Sequence, residues 1–304
     1  MNPTLLELER VRCSRADVNL LDNLTLRTTG NRVGLSGRTE GVAALLMGEA
    51  RLVAGTFNVL GRSLEQARQQ RLFGCALAPN GVPPKWTVRR ILELAAEVAG
   101  YSRPESRLRA MAAAEKVGEG ALSKRPWPRC SPLEKALASL ALGLVCEPAL
   151  LFVRLPIGEL EVSGIARYSE ALARAVDGIA LLAEIRRPPV LQDEESWISG
   201  LDAVVYVFDA GSSGDLAPPS RGKMRYLLRV AGERDVMSAA LQRFGLMASA
   251  INAPSDVLLG RSAFLVDVEV DSNARADTGP LLDLCVALDL DVLELTPVAR
   301  VSSQ

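Results

Sequence analysis

The sequence predicts an α/β protein with a parallel-sheet core, followed by a small α+β module. Three observations carry this. Strand-like and helix-like segments alternate through the first two thirds of the chain, as βα units with a parallel sheet require. ALLFV (149–153) is apolar at every position without alternation, the mark of a strand buried on both faces. A Gly/Ser/Pro-rich stretch, AGSSGDLAPPSRGK (210–223), then separates a compact second pattern from the first.

In order, LLELERV (5–11) and NRVGLS (31–36) read as strands, and the second runs into the glycine-rich GLSGRTEGVAALL (34–46). VAALLMGEA (42–50) has helical character, and LVAGTFNVLG (52–61) reads as strand and turn. SLEQARQQR (63–71) is polar and arginine-rich, most simply a solvated face. TVRRILELAAEVAG (87–100) has apolar residues at helical spacing, with Gly100 as C-cap. RLRAMAAAEKVG (107–118) and SPLEKALASLALGLVC (131–146) are further helices. In the latter, Ser131 is the expected N-cap, Pro132 suits the first turn and Glu134 sits at the capping-box position. Beyond ALLFVRLP (149–156) come a helix at 165–178 and strands at 179–185 and 201–209. The second pattern runs strand (224–230), helix (233–245), a short strand within 250–259, strand (262–270), helix (278–290) and strand (291–298), a ferredoxin-like order. The divisions are a first domain at 1–212 with a helical subdomain at about 85–146, a linker at 213–223, and a C-terminal α+β domain at 224–304.

Composition narrows the chemistry. The 304 residues are 48% hydrophobic and 23% charged, with a net charge of −1. That suits a globular protein with a large core and gives no reason to expect nucleic acid. Five scattered cysteines without a CxxC pair suggest reduced, mostly buried thiols. The most apolar window, 136–153, is broken by Glu147 and Pro148, so it reads as helix, turn and strand rather than a membrane span. The chain has no histidine, which removes Ser-His-Asp triads, Cys-His pairs and HExxH zinc sites. The first lysine is Lys85, so none sits in the glycine loop.

That loop lacks what a phosphate site needs. In GxxxxGK[ST], backbone N–H groups cradle the phosphates, Lys neutralises charge and Ser/Thr holds Mg²⁺. Gly37 and Gly41 match the two glycines only with one residue deleted. The Lys position then becomes Val42 and the Ser/Thr position Ala43. Glu40 adds a carboxylate where phosphate would sit, a repulsion of roughly 1–4 kcal/mol at ~4 Å.

The order of segments resembles the ATP-binding subunit of an ABC transporter, of the type paired with ABC-2 exporter membrane subunits. LDNLTL (21–26) looks like the strand before the phosphate loop, and LVAGTFNVLGRSL (52–64) like the family's hairpin. TVRRILELAAEV (87–98) matches its "TVrEnLel.a.l" helix. CSPLEKALASLALGLVCEPALLFVRLP (130–156) matches the signature helix running into the Walker B strand, and DVLELTPV (291–298) resembles the ending of a C-terminal module. The resemblance covers essentially the whole chain and implies an ABC-type P-loop NTPase fold, with parallel-sheet core, antiparallel β subdomain and helical subdomain. It also shows what is missing. The LSGGQ signature is CSPLE, with Cys130 and Ser131 at its start and Pro132 removing an N–H. The Walker B Asp-Glu becomes Arg154 and Leu155, the Q-loop glutamine falls near Ala78, and the switch histidine falls at or near Ile185. No adenine-stacking ring is present at 12–16.

Six losses on a retained scaffold describe a pseudo-ATPase: not an enzyme, with Mg-ATP binding lost or very weak and no other cofactor expected. The resemblance implies partnership with an ABC-2 type permease, an active ABC ATPase subunit or a second copy. It also implies a cytoplasmic place, peripheral at the inner membrane. The alternatives are a stand-alone regulatory or binding module carried by 224–298, or an ATPase with residual nucleotide binding. In the helical subdomain, Trp86, Arg89, Arg90 and Trp127 are candidate partner contacts; Trp86 and Trp127 read equally as packing under loops. Arg154 is expected to pair with a near carboxylate such as Glu159 or Glu161 rather than hold an anion. Cys130 is expected to be a plain buried thiol, and Asp193-Glu194-Glu195 a solvated loop.

Overall fold

The computed structural model describes residues 4–16, 18–118, 124–187, 192–207, 213–216, 223–231, 248–251, 257–258, 261–271, 285–286 and 291–300. The chain opens with a long hairpin, β1 (Thr4–Arg15) and β2 (Val18–Thr29), then β3 (Arg32–Gly37) and helix α1 (Glu40–Met47). β4 (Arg51–Val59) and β5 (Arg62–Ser63) complete an antiparallel sheet in the order β2-β1-β4-β5. α2 (Leu64–Gln69) leads to β6 (Phe73–Ala76). The helical part follows: α3 (Val88–Val98), α4 (Arg103–Lys116), a 3₁₀ turn at Trp127–Arg129 and α5 (Pro132–Leu144). Then come β7 (Leu150–Arg154), α6 (Val162–Ala175), β8 (Ala180–Ile185), α7 (Gln192–Ser199), β9 (Ala203–Val207) and β10 (Ser213–Leu216).

β9, β3, β8, β7 and β6 form a parallel sheet in that order, with β10 antiparallel at the β9 edge. Both faces are covered, which is why β7 shows no alternation. Leu150 and Phe152 face one core, shared with α1 and the antiparallel sheet through Leu6, Leu8, Val42 and Phe57. Leu151 and Val153 face the other, shared with the helices through Leu92, Leu137, Leu140 and Tyr168.

α5 starts as its sequence dictates. Ser131 Oγ accepts from the Glu134 N–H (3.2 Å), and Glu134 accepts from the Ser131 N–H (2.7 Å), a complete capping box. α3 ends one residue earlier than expected, with Ala99 as the C-cap and Gly100, at φ +91°, just beyond it.

Four other expectations need correction. SLEQARQQR is not simply a solvated face: it holds α2, capped by Ser63, with Leu64 and Ala67 buried. LDNLTL belongs to β2 in the antiparallel sheet, and the strand that enters the glycine loop is β3. Within the linker stretch, Ser213–Leu216 is β10, paired to β9. Asp193-Glu194-Glu195 is no solvated loop. It opens α7, and Glu194 and Glu195 are buried.

In the C-terminal module, β11 (Lys223–Ala231), β12 (Ala248–Ile251), β13 (Val257–Leu258), β14 (Arg261–Asp271) and β15 (Asp291–Arg300) make an antiparallel sheet. Its order is β12-β14-β11-β15, with β13 on β14. Leaving β13 aside, the four strands thus stand second-third-first-fourth, the ferredoxin-like order. The expected helix at 233–245 lies outside the described residues. Of that at 278–290, only Cys285 and Val286 are described, and they are helical.

Candidate functional site

The glycine loop joins β3 to α1 at the carboxyl edge of the parallel sheet, where open α/β sheets bind ligands. It is drawn tight. Gly37 takes φ +80° to turn the chain, the Arg38 N–H donates to the Val207 carbonyl (2.9 Å), and the Thr39 N–H donates to the Gly37 carbonyl (3.0 Å). α1 begins at the next residue, Glu40. Only Arg38 and Thr39 bridge strand and helix, and both amides are spent on the protein itself.

The side chains follow that register. Glu40 is exposed on the first turn of α1, where a carboxylate favours the helix dipole. A Cβ on Gly41 would lie 2.3 Å from Leu21 Cγ, so this glycine serves the close approach of α1 to β2. Val42 and Ala43 are 0% and 1% exposed and form part of the core.

Glu184 is the residue the sequence reading missed. It lies on β8 beside β3, is fully buried, and accepts from Thr39 Oγ1 (2.8 Å) and Arg154 Nε (2.5 Å). Arg186 Nε stands 3.8 Å away. Parallel pairing sets Arg154 opposite Glu184 in register. The expected partner of Arg154, Glu159 or Glu161, is therefore corrected to Glu184; Glu159 faces Arg187 (3.9 Å). The signal was there to find: a lone carboxylate in the apolar strand IALLAEI, which costs too much to bury without a cation.

The other positions are structural in setting. Leu155 and Ile185 are buried in the helix-side core, and Ala78 is exposed beyond β6. Cys130 is buried. Desolvation first, and the Glu134 charge second, push its thiol up from its ordinary value, as a plain buried thiol requires. Ser131 is engaged in the capping box. Trp127 is buried and Trp86 half-buried, their backbones joined by Trp127 N–H to the Trp86 carbonyl (2.9 Å), so Trp127 is a packing residue. Arg89 pairs with Glu93 (2.7 Å) and Arg90 with Glu97 (3.0 Å) along α3.

Glu194 Oε1 accepts from the Gly158 N–H, and Arg187 Nε donates to the Ile157 carbonyl, so the loop after β7 is tied to α7 and to the chain beyond β8.

No protein-family model matches the chain, and no curated protein matches it. Solved structures do share its fold. An ATP-binding subunit of an ABC transporter is 16% identical with a TM-score of 0.53, covering 79% of this chain and 93% of that one. The protein cbiO1 of Clostridium perfringens, part of the ABC transporter complex cbiONQ, gives 16% and 0.53 over 70% and 87%. The ADP conformation of MJ1267, an ATP-binding cassette of an ABC transporter, gives 14% and 0.56 over 71% and 91%. The fold is that of the ABC ATPases; at these identities the likeness is one of architecture.

Proposed function

We propose that this chain is a cassette-fold subunit without Mg-ATP chemistry, serving as a structural or regulatory partner in a membrane transport or export complex. One observation carries the reading: the Thr39–Glu184–Arg154 cluster. The Arg154 guanidinium, on β7, pairs with one oxygen of Glu184 while the Thr39 hydroxyl donates to the other, so both carboxylate oxygens are engaged within the protein and a fixed cation stands at this edge of the sheet. The loop amides are bonded within the protein, and the two positions where Lys and Ser/Thr would reach a nucleotide hold Val42 and Ala43 in the core. These residues do not fit Mg-ATP. The fold shared with ABC ATP-binding subunits supports a permease, an active ATPase subunit or a second copy as partner, at the cytoplasmic face of a membrane. No described helix is long and apolar enough to cross one.

Calorimetric titration with Mg-ATP tests the first half: no binding in the micromolar range is expected, and micromolar affinity would sink it. Affinity purification of the tagged chain from detergent-solubilised membranes tests the second. Recovery of a permease or sister ATPase is expected, and their absence at native expression would leave a stand-alone module as the better account.

A further inference from the structure

Charge is unevenly spread over the chain. Residues 85–146 hold eleven Lys and Arg against six Glu, a net +5 within a protein of net −1. Part of this excess is paired along α3, but α4 presents a different surface. Its outward side carries Arg103, Arg107, Leu108, Met111 and Lys116, all exposed, with Glu115 the acid among them. Leu108 is 68% and Met111 47% exposed, and Val98, at the end of α3 next to this helix, is 80% exposed. Three of the seven large apolar side chains exposed among the described residues therefore gather on one α3–α4 hairpin.

Among the described residues, no ion pair reaches Arg103, Arg107 or Lys116. The acid near Arg103 and Arg107 is Glu97, whose pKa is held down first by its hydrogen bond to Arg90 and only secondarily by those two charges. Glu97 is already satisfied at 3.0 Å by Arg90. The spacing of α4 explains most of the face: Ser106, Ala110, Ala113 and Ala114 pack inward, so 108 and 111 look out with 107 and 116 at the two edges, while Arg103 is exposed because it begins the helix.

We propose that the outward face of α4, with Val98, is a contact surface for an anionic phospholipid bilayer. Arg103, Arg107 and Lys116 meet headgroup phosphates while Leu108, Met111 and Val98 enter the interfacial layer. Cations flanking apolar side chains on one helix face is the pattern of interfacial helices, and juxtamembrane cations add attraction to anionic leaflets. Leu108 and Met111 lie three residues apart on the helix, with cations on either side in sequence, so a boundary that is anionic at its surface and apolar beneath meets both kinds of side chain at once. This surface is independent of the nucleotide question: a chain that bound Mg-ATP would keep it.

The test is co-sedimentation of the full chain with vesicles of phosphatidylcholine, with and without phosphatidylglycerol. Binding only to the anionic vesicles is expected, and it should weaken as salt shortens the screening length. Arg103→Glu with Arg107→Glu should lower the partition coefficient by about tenfold or more, since each cation near the surface contributes about fivefold. Leu108→Ser with Met111→Ser should weaken binding at unchanged charge. All four residues are exposed or half-exposed, and far-UV circular dichroism verifies folding. Should a double variant misfold, Lys116→Glu and the salt dependence of the unaltered chain decide. Equal binding to neutral vesicles, no vesicle binding, or charge-reversed variants that bind like the parent would each overturn the proposal. Retention on poly-glutamate without vesicle binding would assign the face to an acidic protein instead.

Discussion

Without its Arg154 partner, Glu184 would be a carboxylate with no exposed surface, held by Thr39 and faced by Arg186 only at 3.8 Å. Breaking a buried pair from one side costs 3–5 kcal/mol; Arg154 is 30% exposed, so Arg154→Met should cost about 2–4 kcal/mol in urea unfolding. Combining it with Glu184→Gln, which keeps an acceptor for Thr39, should recover most of that loss. A double variant no better than the single would mean the pair is not what matters. Glu134 gives a pH-dependent case. Burial raises its pKa, but the Ser131 N–H and Arg125 outweigh this and leave it below the ordinary 4.5. Its contribution is therefore complete above that value and is lost as pH falls through the lowered folded-state value. Glu134→Ala should cost about 1 kcal/mol at neutral pH. In thermal melts against pH, the gap from the parent should close in acid.

At the scale of elements, α5 lies against β6 with almost no space between. A Cβ on Gly74 would fall 1.8 Å from the Gly143 carbonyl oxygen, and one on Gly143 would fall 2.6 Å from Leu151 Cδ1. A backbone oxygen cannot rotate aside as a side chain can, so Gly74→Ala must shift the helix. It should cost about 3 kcal/mol or more, and Gly143→Ala less, because a Leu151 methyl can move; chemical denaturation ranks them. A second join ties the helical part to the sheet: the Arg71 and Arg109 guanidiniums lie 4.3 and 3.9 Å from the Tyr101 ring centre. Arg71 also donates to the Ala99 carbonyl, and Arg109 faces Glu147 at 3.3 Å. Tyr101→Leu, which keeps bulk but removes the aromatic face, should cost about 1–2 kcal/mol.

For the molecule as a whole, the decisive substitution is at the start of α1. Val42→Lys restores the residue type of a phosphate loop, but Val42 is fully buried between the two sheets. It should yield no ATP turnover and should lower stability by several kcal/mol as an uncompensated buried amine; measurable hydrolysis would contradict the proposed function. Much of the architecture was legible in advance because its signals are local. Helical spacing at 87–98, the Ser131/Glu134 box and the unbroken apolar ALLFV each need only neighbouring residues, and the retained order of elements gave the cassette-like fold and the ferredoxin-like module. The residue types at 37–43, 130–134 and 154–155, on which the proposed function rests, could also be read as sequence. The occupant of the site was not legible in this way. Arg154 and Glu184 are thirty residues apart, and only the parallel register of β7 against β8 makes them opposite partners. The burial of Glu194 under the Gly158 amide, and the exposure of Val98, Leu108 and Met111 on the hairpin that carries Arg103 and Arg107, likewise arise from packing between segments. The sequence by itself determined which residue types stand at the loop and strand-end positions on which the proposed function rests, because that needs no more than the order of residues. Tertiary structure alone decided which of these side chains meet and which face outward, because charge pairing and exposure depend on distances that no local pattern encodes.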